Sequence, residues 1–295
     1  MKRVMVRMFF RSLTLGLTTL AALSAWSLPG EAVEDPKPFQ VFDGTLYSNK
    51  PDLSQYGIRP IAIAYAGKFG LDWYKQADRL PNVESVRAVA REVRQQGNVA
   101  VLDIEHWSLK GLPDSVTDSL AKYKTVLGWF QEAASNVSVG YYGSPPIRDY
   151  WRAIRHKTSR EYQAWMDEND QLRPLASAVD VFFPSLYTFY PDQTGWKTYA
   201  VAQIEEARRY GNGKPVYVFL WPQYHDSNRQ LGGQYLPDDY WLLQLRTAKE
   251  HADGIVIWGG WGGNNRPAGW DEHAPWWKVT KGFMKTLDAG RVSSR

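Results

Sequence analysis

The chain has 295 residues, of which 44% are hydrophobic and 14% aromatic, enough to bury one large core or two modest ones. Four of its 35 basic residues and one of its 31 acidic residues lie in residues 1–32, which leaves 31 basic and 30 acidic residues in the remainder. This near-neutral balance gives no support to nucleic-acid binding. The lack of cysteine excludes disulfides, thiol catalysis and cysteine-ligated metals, and the five histidines show no HExxH spacing, so we expect neither a metal nor a cofactor.

The N-terminus has the pattern of a secretory signal peptide. A basic start is followed by an apolar run over residues 12–26 and then by small residues up to Ala32. The run is short and poorly flanked for a transmembrane helix, although an uncleaved anchor is the alternative. We therefore predict a signal peptide over residues 1–32, a polar linker over 33–38, and a secreted or periplasmic protein with no stable membrane span after cleavage.

Residues 39–288 are predicted to form one domain in which strands alternate with helices, followed by a polar tail over 289–295. The predicted strands are residues 39–46, 60–65, 99–107, 137–142, 179–187, 215–220 and 254–258. Helical spacing of apolar residues predicts helices over 83–96, 116–134, 196–210 and 238–251. Such alternation is typical of α/β proteins with a parallel sheet. We predict a distorted TIM-like (β/α) barrel with about seven parallel strands; a doubly wound sheet is the competing fold, but no glycine-rich nucleotide loop follows the first strand.

The third predicted strand, VAVLDIEHW at 99–107, carries two carboxylates. Side chains alternate across a strand, so Asp103 and Glu105 share one face with valines, while the opposite face is wholly apolar. The pair is therefore expected inside the barrel, just below its mouth. Two like charges in a semi-buried site raise the pKa of one of them, and a carboxyl group that holds a proton is what cleavage of a glycosidic bond needs. The alternative is that the two carboxylates belong to a structural ion-pair network. The sequence argues against this, because no basic residue can be assigned to an inward strand position.

Aromatic residues stand at or just after the ends of the other strands. They are Tyr65, the adjacent pair Tyr141 and Tyr142, Tyr187, Trp221 and Trp258. Trp261, in the loop after the last strand, is added as a further candidate for substrate binding. Each residue alone is more typical of a core, but a ring of them around two acids indicates a sugar-binding groove, because sugar rings present apolar faces that stack on aromatic planes.

Taken together, these segments resemble the hyaluronidases, glycoside hydrolase family 56. The similarity spans roughly residues 39–283 and rests on four stretches in the family's order: DIEHW at 103–107, VGYYGSPP at 139–146, a segment ending in PSLY at 184–187, and GIVIWGG at 254–260. The resemblance implies a distorted seven-stranded barrel that cleaves polysaccharides containing N-acetylhexosamine.

The resemblance also implies residue roles in a retaining, substrate-assisted mechanism. Glu105 would be the acid and base, Asp103 would orient the acetamido group that acts as nucleophile, and Tyr187 would hydrogen-bond the cyclic intermediate. Tyr142, preferred to Tyr141 only by alignment with the family, would position the sugar, and Trp258 would lie beneath the N-acetyl methyl group.

The sequence departs from the family in lacking the disulfides and the cysteine-rich module of the animal enzymes. The family's groove is basic, and Lys68, Arg148, Arg229 and Arg266 lie in or near predicted loops where they could contact carboxylates. Two alternatives stay open: a muramidase or chitinase-like hydrolase, although the longer acidic run of chitinases is absent, and a barrel that binds a polysaccharide without cutting it. The sequence leaves the oligomeric state undetermined.

Overall fold

The computed structural model of the chain describes residues 38–70, 75, 78–262 and 266–292. The predicted signal peptide, and the predicted linker apart from Pro38, lie outside the described residues. Residues 289–292 of the predicted tail continue the final helix. Within the described ranges, no helix is both long enough and apolar enough to cross a membrane.

Strands and helices alternate along the described chain. The strands are β1 (Gln40–Thr45), β2 (Arg59–Pro60), β3 (Ala62–Tyr65), β4 (Val99–Asp103), β5 (Ser138–Tyr141), β6 (Tyr217–Leu220) and β7 (Gly254–Gly259). The α-helices are α1 (Val83–Gln96), α2 (Pro113–Ala133), α3 (Tyr150–Ala153), α4 (Arg160–Asp170), α5 (Arg173–Ala178), α6 (Gln193–Gly211), α7 (Asp238–His251) and α8 (Pro275–Val292). Two short 3-10 helices, Leu53–Tyr56 and Ala66–Phe69, follow β1 and β3.

The strands pair in parallel, in the orders β2-β1-β7-β6 and β3-β4-β5. Only Ile61 separates β2 from β3, so this stretch pairs with β1 through its first part and with β4 through its second. On the opposite side, residues 182–188 form parallel bridges to Tyr142 and to residues 216–224. Each strand therefore pairs with the next one in chain order, and the last strand, β7, pairs with β1. This confirms the predicted barrel of about seven parallel strands.

The fifth position of the barrel is irregular, where a strand over 179–187 was predicted. Pro184 has no N–H to donate, so this segment makes single bridges in place of a continuous ladder. The segment lies very close to β5, and this depends on Gly140, because a Cβ atom there would overlap the carbonyl oxygen of Val181.

The four predicted helices are all present, as α1, α2, α6 and α7, whereas α3, α4, α5 and α8 were not predicted. The helix predicted over 83–96 is α1, and the Oδ1 of Asn82 accepts hydrogen bonds from its first turn. Helices α2 and α6 both begin three residues before the predicted starts. Pro113 suits the first turn of α2, and the side chain of Asp192 caps α6 by accepting from the N–H of Gly195.

Buried side chains fall into two layers, as the alternation along β4 predicts. Val101 belongs to an inner cluster inside the barrel, whereas Ala100, Leu102 and Ile104 belong to the outer cluster between the sheet and the helices. The inner cluster also contains Phe42, Tyr142, Val181, Phe183, Tyr187, Phe219, Trp221 and Val256. The barrel interior is thus a packed core whose top, at the carboxyl ends of the strands, is aromatic.

Candidate active site

The site is built around the carboxyl end of β4. In the pairing register Tyr65, the last residue of β3, lies beside Asp103, the last residue of β4. On the other side, the N–H of Tyr142 donates to the carbonyl of Leu102 at 3.1 Å, which aligns the end of β5 with the same point. Asp103 is therefore flanked by two tyrosine-bearing strand ends, at the face where β/α barrels carry their chemistry.

Asp103 is largely buried, and its pKa is raised from 3.8 to about 7. The larger cause is the loss of water around the carboxylate, and the negative charge of Glu105 adds to it. Neither cause is a hydrogen bond or a neighbouring cation. Asp103 thus holds a proton in a large part of the molecules at neutral pH, which fulfils the expectation that one carboxyl of the pair is protonated.

Glu105 is more exposed than predicted. β4 ends at Asp103, so Glu105 lies in the loop beyond the strand, and its side chain is 56% exposed. The prediction that both carboxylates lie below the mouth is wrong for Glu105, because the ladder that would hold it ends two residues earlier. A guanidinium nitrogen of Arg148, which reaches the pair from the loop after β5 and not from an inward strand position, lies 3.9 Å from a carboxylate oxygen of Glu105.

The two adjacent tyrosines of β5 point to opposite faces. Tyr141 lies in the outer layer and donates its hydroxyl hydrogen to the carbonyl of Tyr123 at 2.8 Å. Tyr142 lies in the inner cluster, with its hydroxyl 3.0 Å from the Oγ of Ser185. Tyr142 is therefore the tyrosine of this pair that lines the cavity at the mouth of the barrel.

Aromatic rings form the floor of the site. Tyr187 stacks on Trp258 with ring centroids 5.7 Å apart, and Trp221 meets both rings edge-on. The indole N–H of Trp258 donates to the hydroxyl of Tyr65 at 3.0 Å, joining the two ends of the site across the barrel. Burial raises the pKa of Tyr65 to about 12 and raises that of Tyr187 well above its usual value of 10, so both hydroxyls keep their hydrogens at neutral pH.

Asp103, Glu105, Tyr142 and the rings of the floor other than Tyr65 line a cavity of about 230 Å³. It is lined by Ile63, Asp103, Glu105, Tyr142, Arg148, Tyr187, Phe219, Trp221, His225, Asp226 and Trp258. A second cavity, of about 290 Å³, adjoins it and shares Glu105, Tyr142 and Arg148 as a common wall. A wider cleft of about 1080 Å³ lies between α4 and α6, but none of the site residues line it, so we place the site at the smaller cavities.

Two charged or polar residues of the cavity, His225 and Asp226, were not named as site residues from sequence, and a third, Arg148, was named only as a loop residue that could contact carboxylates. Arg148 comes from the loop after β5, and His225 and Asp226 come from the loop after β6. His225 accepts a hydrogen bond from the N–H of Ser227 at its Nδ1, so in the neutral ring Nε2 carries the hydrogen. Burial is the main cause that lowers the pKa of His225, and the positive charge of Arg148 adds to it. The sequence signal that could have assigned these residues to the site was their position just after strand ends, because loop residues show no periodicity.

The remaining predicted residues lie outside this cavity. Trp261, proposed for substrate binding, is 46% exposed in the loop after β7 and is absent from the cavity lining. Lys68 pairs with Glu92 at 2.8 Å, and Arg229 and Arg266 are exposed. Among the described residues, no group of three or more potential ligands is arranged to hold a metal ion.

No family model matches the chain, and no curated protein matches it. Among solved structures, the chain is similar to bee venom hyaluronidase, with a TM-score of 0.55 and 16% identity over 85% of this chain and 97% of the other. The same enzyme in complex with a hyaluronic acid tetramer gives a TM-score of 0.58 and 17% identity over 85% and 96% of the two chains. An endo-β-1,4-mannanase from Thermotoga petrophila is a weaker match, with a TM-score of 0.47 and 10% identity over 87% and 78%. The chain therefore has a hyaluronidase-like fold.

Proposed function

We propose that the protein is a glycoside hydrolase that cleaves a hyaluronan-like polysaccharide containing N-acetylhexosamine by a retaining, substrate-assisted mechanism. The observation that carries the proposal is the carboxyl of Asp103, whose pKa is about 7, beside Glu105 in an aromatic cavity at the carboxyl end of the barrel. A perturbed carboxyl pair in a cleft is typical of a functional site, and a purely structural pair would be stabilised by cations around both members. The shared fold with a hyaluronidase adds support.

In this proposal Asp103 orients the substrate's acetamido group and stabilises it. Its surroundings disfavour the carboxylate form, as the raised pKa reflects. Positive charge develops on the acetamido group as its oxygen approaches the anomeric carbon. This charge favours the carboxylate form of Asp103, because it stabilises the negative charge in place of the missing water. The interaction is therefore stronger in the transition state than in the bound substrate, which is the condition for catalysis.

Glu105 acts as acid and then as base. Asp103 holds a proton below about pH 7, and that proton passes to Glu105 when the acetamido N–H engages Asp103 as a carboxylate. Glu105 gives it to the glycosidic oxygen as the bond from that oxygen to the anomeric carbon breaks and the acetamido oxygen bonds to the same carbon. Water then attacks that carbon, Glu105 takes a proton from the water, and the acetamido oxygen leaves. Two displacements at one carbon retain its configuration.

The aromatic residues hold the sugar in this mechanism. The ring of Trp258 supports the N-acetyl methyl group, and the hydroxyl of Tyr187, which keeps its hydrogen, donates to the cyclic intermediate. Tyr142 positions the sugar from the wall that the two cavities share, and Trp221 and Tyr65 fix the orientation of Trp258. An apolar surface with a few placed hydroxyls is the usual composition of a ligand cavity.

Arg148 supports an acidic polymer as the substrate. Its guanidinium lines both cavities, so it can pair with a sugar carboxylate on either side of Glu105. The signal-type segment over residues 1–32 leads us to propose further that the protein meets this polymer outside the cytoplasm.

The test is product release from hyaluronan, chondroitin, chitin oligomers and peptidoglycan, with wild type beside Glu105→Gln. We expect wild type to cleave one polymer that contains N-acetylhexosamine, and we expect the variant to be inactive with an unchanged circular dichroism spectrum. Substantial residual activity in Glu105→Gln would remove the residue from the acid role. Equal binding of a polymer by both proteins with turnover by neither would favour a non-catalytic binding barrel.

A further inference from the structure

Two large aromatic side chains lie exposed together on the face of the barrel that carries the active site. Trp151 follows β5 and is 54% exposed, and Tyr190 follows the irregular fifth segment and is 38% exposed. Their ring centroids are 5.2 Å apart, and Tyr150 contacts both rings. None of these three residues lines the cavities around Asp103 and Glu105, so the mechanism above does not use them.

The two neighbours of Trp151 in the chain are held by side-chain hydrogen bonds. The hydroxyl of Tyr150 donates to a carboxylate oxygen of Asp192 at 3.3 Å. Arg152 donates to Asp149 at 2.8 Å and to both carboxylate oxygens of Glu168, at 2.8 and 2.7 Å. An exposed tryptophan between two anchored neighbours keeps its position before any ligand arrives, which lowers the entropy lost on binding.

A continuous series of ring contacts joins this surface to the active site. From Tyr187, which stacks on Trp258, the series continues to His225 at 6.3 Å and from His225 to Phe189 at 4.5 Å. Phe189 contacts Tyr190 at 6.4 Å, and Tyr190 contacts Trp151. The exposed pair is therefore continuous, through packed rings, with the floor of the active site, which puts it within reach of a polymer that is bound there.

We propose that Trp151 and Tyr190 form a distal sugar-binding subsite that stacks a ring of the polysaccharide several units away from the cleaved bond. Two exposed rings bordered by the carboxylate of Asp192 and the hydroxyl of Tyr150 suit a sugar, which offers an apolar face and hydroxyl groups at its rim. Such a patch is far smaller than a stable protein interface requires. The proposal rests on the proposed function for its substrate class, and it implies that the enzyme binds long polymers and cleaves within them.

The test measures binding in a Glu105→Gln background, so that it does not depend on turnover. Titration calorimetry compares tetrasaccharides and octasaccharides of hyaluronan, chondroitin and chitin. We expect Trp151→Ala and Tyr190→Ala to weaken octasaccharide binding on the order of tenfold, the effect of losing one stacking contact, and to leave tetrasaccharide binding within about twofold. Trp151→Phe is expected to keep most of the affinity, because it retains an aromatic face.

Tyr235→Ala is the matched control. Tyr235 is 39% exposed on the loop after β6, as exposed as Tyr190, but it lies outside the series of ring contacts. The subsite is overturned if Trp151→Ala binds octasaccharides as the parent does, if Tyr235→Ala weakens them equally, or if no oligosaccharide binds at all. If Trp151→Ala weakens the binding of octasaccharides but not of tetrasaccharides while wild type cleaves no polymer, the subsite is supported and the hydrolase proposal is rejected. The two proposals can therefore fail separately.

Discussion

The raised pKa of Asp103 makes a prediction about stability that needs no knowledge of the substrate. In the unfolded chain this carboxyl has its ordinary pKa of 3.8, and in the folded protein the value is about 7. Since each unit of difference corresponds to about 1.4 kcal/mol, ionised Asp103 destabilises the fold by about 4 kcal/mol. Asp103→Asn keeps the size of the side chain and removes the charge, so the variant should be more stable than wild type at alkaline pH.

The sign and the pH window follow from the two pKa values. Below about pH 4 the carboxyl is protonated in both states and the two proteins should be nearly equal in stability. Between pH 4 and pH 7 the unfolded chain gives up its proton first, so wild type loses stability as the pH rises. Above about pH 8 the carboxyl is ionised in both states, and the full difference of about 4 kcal/mol should persist.

Urea denaturation of both proteins at pH 4 and pH 8, followed by circular dichroism, measures this difference. With a slope of about 3 kcal/mol per molar urea, the Asp103→Asn midpoint should exceed that of wild type by roughly 1 M at pH 8. Glu105→Gln should give a smaller gain, because the charge of Glu105 is the lesser cause of the pKa shift. A variant that is less stable than wild type at pH 8 would refute the reasoning, since it would mean that a cation or hydrogen bond stabilises the carboxylate.

The other predictions concern catalysis and the barrel. In the proposed hydrolase, kcat/KM should fall as the pH rises through about 7, because the Asp103–Glu105 pair then loses the proton that the leaving oxygen needs; a rate that stays constant to pH 9 would contradict this. Asp103→Asn should lower kcat by orders of magnitude despite its greater stability, and a near-normal rate would argue against substrate assistance. Arg148→Met should raise KM for an acidic polymer at least several-fold and should change KM for neutral chitin oligomers little, and equal effects on both would remove Arg148 from substrate selection. Gly140→Ala should destabilise the fold by about 3 kcal/mol or more in urea, because the added Cβ would overlap the carbonyl oxygen of Val181; an unchanged midpoint would show that the fifth segment can move away from β5.

Patterns that depend on local geometry were predictable from sequence. The alternation along β4 correctly separated Val101 and Asp103 from Ala100 and Leu102, because the two-residue period of a strand is a property of the backbone alone. Helix α1 was predicted with its observed ends because the spacing of its apolar residues is a local signal.

Features that depend on long-range contacts were missed. The point at which β4 ends is set by where its neighbours stop pairing, so the exposure of Glu105 could not be inferred from its spacing to Asp103. His225 enters the cavity on the loop after β6, and its path depends on how the whole barrel packs. Arg148 was one of four loop cations named from sequence, and only the packing of the loops decides that it lines the cavity while Lys68, Arg229 and Arg266 do not. Trp261 shows the reverse error, since a position just after a strand end did not bring its side chain to the cavity.

The sequence by itself determined the strand–helix alternation, the acidic end of β4 and the aromatic strand ends, because backbone periodicity and side-chain chemistry are written residue by residue. Only the tertiary structure decided which of the two carboxyl groups is shielded from water. That depends on the closure of the barrel, which surrounds Asp103 with Tyr65, Tyr187 and Trp258 and leaves Glu105 in solvent beside Arg148. The pKa of a group follows its surroundings, and residues far apart in the chain supply those surroundings.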